Sequence, residues 1–236
     1  DKTYSEPILE WAGAQGDIVP VEATRGYASG GKHSYEELMR ALAGPTVAQV
    51  VAGTLGASGS QYCTDFAVWE HGEMMVGRNT DYPLVGVYDL NPTVVYYTPN
   101  DGQKFMSITT AGFHNAGVEG MNESGIFLAV HSILTKEVST EGVPAFFVGQ
   151  RVLEKAKTFE EAVEIIKSYK VAAGWNYTIV SFNEKKAGNM ELSAAGARLY
   201  QTEGRNTLQQ TTGVTYHTVF TCQCNLFSVV GPIIES

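Results

Sequence analysis

The sequence places a cysteine, an arginine and an aspartate close together in QYCTDFAVWEHGEMMVGRNTDYP, from Gln61 to Pro83. Cys63 follows a stretch rich in Gly, Ser and Ala (residues 53–60), and Arg78 and Asp81 come fifteen and eighteen residues after it. A thiol becomes a nucleophile when it loses its proton, and a permanently charged arginine can lower the thiol pKa or hold a carbonyl by its planar fork. We therefore consider nucleophilic catalysis first.

The chemistry depends on whether the Tyr62–Cys63 bond is intact. In an intact chain the thiol keeps a pKa of about 8.5, and a neighbouring histidine is needed to activate it. A cut before Cys63 creates an α-amine with a pKa of about 7.7–8.0, which can take the thiol proton itself. Asp81 can then accept from the ammonium. The alternative is that Arg78 and Asp81 form a surface ion pair. If instead they are site residues, we expect Arg78→Ala and Asp81→Asn to leave the melting temperature nearly unchanged while slowing the reaction.

The chain around these residues has the pattern of a hairpin. The segments TDFAVW and GEMMVGRN flank a His71-Gly72 turn, which would return Arg78 to the side of Cys63. A second hairpin, TVVYYT with KFMSITTAGF, has a turn at 99–102, and GIFLAVHSI from Gly125 is a further strand. Three more strands are predicted late in the chain: NYTIVSF, NMELSA and ARLYQT.

Three helices are predicted around these strands. SYEELMRAL begins at a capping box of Ser34 and Glu37 and then loosens into small residues from Gly44 onward. AFFVGQRVLEKAK begins after Pro144, and FEEAVEIIKSY begins at a second capping box of Thr158 and Glu161. The order of helices and strands predicts an α+β fold, with stacked sheets in the middle and helices outside.

Three segments resemble the linear-amide hydrolases of the N-terminal-nucleophile (Ntn) superfamily: choloylglycine hydrolase, penicillin acylase, acid ceramidase and isopenicillin-N acyltransferase-like proteins. They are CTDFAVW…GRNTDYP, AGFHNAGVEGMNESGIFLAVHS and GVPAFFVGQRVLEKAKTFEEAVEII, in the order typical of the group. The resemblance runs from about Cys63 to Tyr200. It implies a four-layer αββα sandwich, with residues 1–62 as a prosegment or small subunit and residues 63–236 as one catalytic unit.

The resemblance also implies self-cleavage between Tyr62 and Cys63, and then hydrolysis of a linear amide (C–N) bond of an N-acylated small molecule. Cys63 is the implied nucleophile, and Arg78 and Asp81 line the same site. The chain differs from the group at Asp65, where a small polar residue is more usual. LQQTTGVTYH lacks the asparagine that helps to bind the oxyanion, so Asn176 and His131 are the candidates for that role. Tyr82 is a candidate for substrate binding.

Composition excludes several other classes of function. The net charge of −9, without a run of Lys or Arg, argues against a nucleic-acid partner, and no apolar run reaches the ~20 residues of a membrane span. Cys222 and Cys224 have only His217 nearby, so we expect no metal site, and no motif for a nucleotide cofactor occurs. The chain opens at Asp1 with no visible signal peptide, so the sequence is compatible with export and with a cytoplasmic location. It is also compatible with a homo-oligomer.

Three alternatives remain at this point. An enzyme of the same fold could pass the acyl group to an amine instead of water. An uncleaved Cys-His protease would need a histidine facing Cys63, whereas His131 on its apolar strand is expected to be buried and hydrogen-bonded. A homologue that kept the sandwich and lost the site would only bind its ligand.

Overall fold

The computed structural model describes residues 6–8, 10, 20–56, 59–60, 63–70, 73–80, 90–112, 116–201, 207–211 and 226–230. Four helices are labelled in chain order: α1 (Pro20–Gly30), α2 (Tyr35–Thr54), α3 (Ala145–Lys155) and α4 (Phe159–Lys167). The strands are β1 (Gly59–Ser60), β2 (Thr64–Glu70), β3 (Glu73–Thr80), β4 (Pro92–Tyr97), β5 (Phe105–Thr110), β6 (Glu119–Asn122), β7 (Ile126–Leu134), β8 (Trp175–Ser181), β9 (Lys186–Ser193), β10 (Gly196–Gln201), β11 (Thr207–Thr211) and β12 (Leu226–Val230).

Helix α2 begins as predicted and ends later than predicted. The Ser34 hydroxyl accepts from the Glu37 amide at 3.2 Å, and the Glu37 carboxylate accepts from the Ser34 amide at 2.8 Å. The expectation that the chain loosens after Gly44 is wrong, because the helix continues through Pro45 to Thr54. Proline removes one helical hydrogen bond, and burial of Leu42 and Val50 on either side offsets that loss.

The capping of α4 is only half of the predicted box. The Thr158 hydroxyl accepts from the Glu161 amide at 3.1 Å, as a first-turn cap should. The Glu161 carboxylate, however, accepts from the Lys157 amide at 2.7 Å, one residue before the expected donor. The helix start is therefore fixed at the predicted residue by one bond of the predicted box and one different bond.

The larger sheet is antiparallel throughout, in the order β10-β9-β8-β7-β6-β5-β4, and β1 adds to one end of β7. Strands β7 and β8 are central and buried on both faces over most of their length. This position explains why IFLAV in β7 is a continuous apolar run. His131 of β7 lies directly opposite Asn176 of β8.

The smaller sheet has the order β11-β2-β3-β12. The predicted hairpin is confirmed as β2 and β3, and its register places Asp65 opposite Arg78. The edge strands β11 and β12 were not predicted. LQQT in β11 has no apolar alternation, and it becomes a strand because its backbone pairs with β2, distant in the sequence.

The two sheets stack face to face through a small apolar core that includes Ala67 and Val76 of the small sheet and Phe127 and Ala129 of β7. The other face of the large sheet carries a larger core, on which α3 and α4 pack. The α+β class, with stacked sheets in the middle and helices outside, is confirmed. In the described residues the helices cover the large sheet. None of these described helices combines the length and apolar character needed to cross a membrane.

Candidate active site

Cys63 and Arg78 line one small cavity at the end of the sandwich. The β2–β3 hairpin brings them together, since Cys63 lies just before β2 and Arg78 near the end of β3. Both are buried, at 6% and 2% exposed. The cavity has a volume of about 30 Å³, room for one or two water molecules. Its other walls come from the small sheet, the large sheet, α2 and α3: Pro45, Thr80, Val118, Val130, Ser132, Phe146 and Trp175.

Arg78 binds to main-chain and side-chain groups of the large sheet. Its two terminal nitrogens donate to the carbonyl oxygens of Val118 and Val130, both at 2.6 Å. One of them also lies 3.4 Å from the Glu119 carboxylate, which is equally buried. The surface ion pair considered for Arg78 is therefore wrong. Removal of Arg78 would take away the cation beside the buried Glu119 carboxylate, so the structure favours a lower melting temperature than the sequence-based expectation.

Asp65 and His131 form a buried pair between the two sheets. The His131 Nε2 atom lies 2.6 Å from an Asp65 carboxylate oxygen, and both side chains are fully buried. The other Asp65 oxygen and His131 Nδ1 have no hydrogen-bond partner in the described part of the chain. His131 is thus buried and hydrogen-bonded, as expected, and it is not among the residues of the cavity wall.

Asn176 lies beside His131, on the same face of the large sheet. Its side chain is fully buried, and neither its amide oxygen nor its amide nitrogen has a partner among the described residues. The preceding residue, Trp175, faces the opposite way and lines the cavity. The indole of Trp175 meets Phe146 edge to face at 5.1 Å, which gives the cavity an aromatic wall.

Several predicted site residues lie outside the described residues. They are Tyr62, which forms the predicted cleavage site with Cys63, together with Asp81 and Tyr82. Cys222, Cys224 and His217 also lie outside them. Among the residues that the structure does describe, no group of three or more His, Cys, Asp or Glu side chains could hold a metal ion.

Two tyrosines that follow the predicted site in the sequence, Tyr96 and Tyr97, lie away from the cavity. Tyr96 is mostly exposed on the edge strand β4. Tyr97 stacks on Phe105 with ring centroids 4.5 Å apart, and burial raises its pKa to about 12. Neither lines the cavity. Core packing, the simpler interpretation of such aromatics, explains Tyr97.

Sequence reasoning missed Glu119 and the apolar walls of the cavity. Glu119 had a signal, because a lone acidic residue in the Gly-rich, mostly apolar stretch AGVEGM needs a cationic partner when the strand is buried. The wall residues Phe146 and Trp175 had none, since each lies in an apolar segment that also fits ordinary core packing. Only the tertiary arrangement brings them beside Cys63.

Comparison with known proteins identifies the family of the chain. The profile of the acyl-coenzyme A:6-aminopenicillanic acid acyl-transferases matches residues 69–218, which is more than half of the chain. The match begins after Cys63 and includes Arg78, Glu119 and His131. No curated protein sequence matches the chain.

Three solved structures are similar at low identity. The Caenorhabditis elegans ortholog of N-acylethanolamine-hydrolyzing acid amidase has 17% identity and a TM-score of 0.49, over 63% of this chain and 69% of that one. A mutant conjugated bile acid hydrolase from Clostridium perfringens has 17% identity and a TM-score of 0.47, over 62% and 53%. Penicillin V acylase from Agrobacterium tumefaciens has 16% identity and a TM-score of 0.45, over 62% and 51%. The match therefore spans about half the length of the two bacterial proteins.

The family match supports the resemblance seen in the sequence, because isopenicillin-N acyltransferase-like proteins are part of the group that the motifs around Cys63, Asn122 and Phe146 resemble. The chain belongs to the acyl-coenzyme A:6-aminopenicillanic acid acyl-transferase family, within the N-terminal-nucleophile amidohydrolases and acyltransferases of linear amides.

Proposed function

We propose that the chain is a precursor that cleaves itself between Tyr62 and Cys63 and then acts as a cysteine amidohydrolase on a linear amide of an N-acylated small molecule. The observation that carries this proposal is the shared cavity of Cys63 and Arg78 in a member of this family. The guanidinium supplies a fixed positive charge beside the sulfur.

In the proposed reaction the α-amine of Cys63, free after cleavage, takes the thiol proton. The sulfur attacks the amide carbonyl, the C–N bond breaks, and the amine product leaves with that proton. Water then releases the acid and restores the thiol. Asp81 is proposed to hold the ammonium of Cys63, and Tyr82 to contact the substrate.

Arg78 is proposed to act through its charge more than as a substrate clamp. Its terminal nitrogens already donate to Val118 and Val130, and these bonds fix the guanidinium beside Cys63. Asn176 is the proposed donor to the oxyanion. Support for this role comes from its buried amide, which has no partner among the described residues. Asn176 is not in the cavity wall, so the oxyanion would have to reach the space between the sheets.

The acyl group is proposed to be apolar and to lie among Val118, Val130, Phe146 and Trp175. These side chains form most of the wall next to Cys63. The space of about 30 Å³ accepts only a small group in the uncut chain, so a longer acyl group requires room made by cleavage before Cys63.

Residues 1–62 are proposed to stay bound after cleavage as a small subunit. Met39, Leu42 and Val50 of α2 are buried in the core that also holds α3 and the large sheet. Pro45 of the same helix lines the cavity with Cys63. Loss of this helix would expose the core and remove one wall of the site, so we expect a two-chain enzyme.

Acyl transfer is the second candidate function, and the family match favours it. The acyl-enzyme would be the same, and an amine would replace water in the second step. Added nucleophilic amines then change the ratio of amide to acid products without changing the rate at which substrate is consumed, when formation of the acyl-enzyme limits the rate.

The test is a denaturing gel and N-terminal sequencing of purified protein after incubation at neutral pH, with Cys63→Ala as the control. We expect wild type to give a fragment that begins with Cys63, and the control to stay whole. A single wild-type chain with a reactive thiol would instead favour the Cys-His protease, and one with an inert thiol the binding homologue. N-acyl amino acids, penicillins, bile-salt conjugates and N-acyl amines form the substrate panel for the cut protein.

A further inference from the structure

Self-cleavage raises a question that the turnover mechanism does not answer. Before the Tyr62–Cys63 bond is cut, the nitrogen of Cys63 is a peptide amide and cannot take the thiol proton. Arg78 is a permanent cation, and the hydroxyls of Thr80 and Ser132 in the same cavity are poor bases. If the proposed self-cleavage occurs, the precursor needs another proton acceptor.

The buried pair of Asp65 and His131 lies at the right place for this task. Asp65 follows Cys63 by two residues, and alternate residues of an extended chain face the same side. His131 is bonded to Asp65, so its ring lies against the strand that begins just after Cys63. Three residues before Cys63, Ser60 pairs with Ile133 of β7. Because three residues span at most about 10 Å and paired strands lie about 5 Å apart, Cys63 lies within about 15 Å of Ile133 of β7.

The hydrogen bonding of the pair leaves a basic nitrogen available. The Asp65 carboxylate lies 2.6 Å from His131 Nε2, so the ring proton belongs on Nε2 and Nδ1 carries the lone pair. Nδ1 has no partner in the described part of the chain, although the ring is fully buried. A buried polar atom without a partner costs stability, and such atoms are concentrated at working sites.

The other ionisable groups around the pair do not offer this chemistry. Arg78 lies opposite Asp65 on the neighbouring strand and has no basic form in a protein. Glu119, on β6 of the large sheet, lies 3.4 Å from the guanidinium of Arg78, so its charge is already paired. Asn176, opposite His131 on β8, does not titrate.

We propose that His131, oriented by Asp65, is the general base of self-cleavage and is not needed for later turnover. His131 Nδ1 takes the thiol proton of Cys63 through an intervening water, and the sulfur attacks the carbonyl carbon of Tyr62. The C–N bond breaks, and the imidazolium returns the proton to the departing nitrogen, which becomes the α-amine. Water then hydrolyses the thioester to the Tyr62 carboxylate and the Cys63 thiol.

The test compares His131→Gln with wild type in two forms of the full chain. The glutamine amide can still donate to Asp65 but has no basic nitrogen. In the uncut form we expect His131→Gln to cleave itself ~10²–10⁴-fold more slowly, the usual loss of a general base. The second form carries a site for an added protease that cuts directly before Cys63. Once cut, we expect the variant to turn over substrate within about tenfold of wild type, since the α-amine is the base.

Two further variants serve as a control and as a second test. Thr178→Val removes a buried hydroxyl that bonds Asn189 in the same layer between the sheets, and it should cleave at the wild-type rate. Asp65→Asn keeps an acceptor for His131 and should slow cleavage, but less than His131→Gln does. If His131→Gln does not fold, the cleavage rate of Asp65→Asn is the test. Wild-type cleavage in His131→Gln, or turnover by its protease-cut form reduced as much as its cleavage, would overturn the inference. A wild-type chain that never cuts would overturn the proposed function, and this inference with it.

Discussion

The two faces of the large sheet have opposite character. The face toward α3 and α4 is filled by apolar side chains, and its buried Tyr177 donates to the Ala145 carbonyl at 2.9 Å. The face toward the small sheet mixes a few apolar residues with Asp65, Arg78, His131 and Asn176, and atoms of each lack a hydrogen-bond partner among the described residues.

The contrast separates stability from chemistry. Apolar burial on the helix face contributes free energy in proportion to area and needs no fixed geometry. Buried polar groups without hydrogen-bond partners lower the free energy of unfolding, and they are kept where a ligand or a reaction uses them. The polar groups between the sheets are therefore the candidates for proton and charge chemistry. The helix-face core holds the scaffold together and also supplies Phe146 and Trp175 to the cavity wall.

The largest effect is expected from Arg78→Ala, which should abolish self-cleavage and lower the free energy of unfolding by ~3–5 kcal/mol. The cause is Glu119, left buried without its cation. Urea unfolding and a denaturing gel measure the two effects. The double variant Arg78→Met/Glu119→Gln should recover most of the stability and none of the cleavage. A stable, cleaving Arg78→Ala would break the distinction between the faces.

On the helix face, Leu153→Ala should cost about 2–5 kcal/mol of stability, because Leu153 is fully buried in the large core. The activity of the protein that remains folded should be normal. Thermal unfolding and kcat per folded molecule check this. A fall in kcat that exceeds the loss of folded protein would show that this core also positions the reacting groups.

Between the sheets, Asn176→Ala should lower activity and leave stability nearly unchanged, the opposite of Leu153→Ala. If its amide binds the oxyanion, the variant loses ~10²–10³-fold in kcat. Its stability should change little, because the amide makes no hydrogen bond within the described chain. Steady-state kinetics and a melting curve on the same sample separate the two. Normal kcat would remove Asn176 from the proposed site.

The smallest effect is expected from Glu154→Gln on α3. Burial raises the pKa of Glu154, although a hydrogen bond from Gln150 at 2.9 Å opposes the shift. The folded state then holds the proton more tightly than the unfolded state, so this carboxyl lowers stability as the pH rises through its raised pKa. Glutamine should add about 1 kcal/mol at pH 7, because it removes the charge from a carboxyl whose Oε2 has no hydrogen-bond partner among the described residues.

The pH dependence of this gain is the control. It should vanish below about pH 4, where both states of the glutamate are protonated. The exposed Glu164→Gln on α4 breaks only a surface pair with Lys167 and should stay within about 0.5 kcal/mol at every pH. A gain at low pH in Glu154→Gln would mean that packing, and not charge, causes it.

The sequence predicted the local structure around the site well. The hairpin of β2 and β3 followed from alternation and a two-residue turn, and Ser34 and Thr158 marked helix starts because their caps are local. The spacing of Cys63 and Arg78 predicted their proximity for the same reason. The continuation of α2 past Pro45 was not predictable, since the packing that offsets the lost hydrogen bond is tertiary.

What the sequence could not supply were pairings between distant segments. Glu119 reaches Arg78 across 41 residues, and His131 reaches Asp65 across 66. Edge strands β11 and β12 likewise exist because β2 and β3 offer them unpaired backbone. In each case the partner is chosen by how the sheets stack, and one chain read along its length carries no signal of that choice.

The central claim is that Cys63 becomes the first residue of the working chain and carries the acyl group. The most direct measurement is intact mass spectrometry of protein quenched in acid during turnover of an active N-acyl substrate. The account predicts a chain that starts at Cys63 and gains the mass of the acyl group, removed by hydroxylamine. An acyl adduct on another residue, or on a chain still joined to Tyr62, would contradict it.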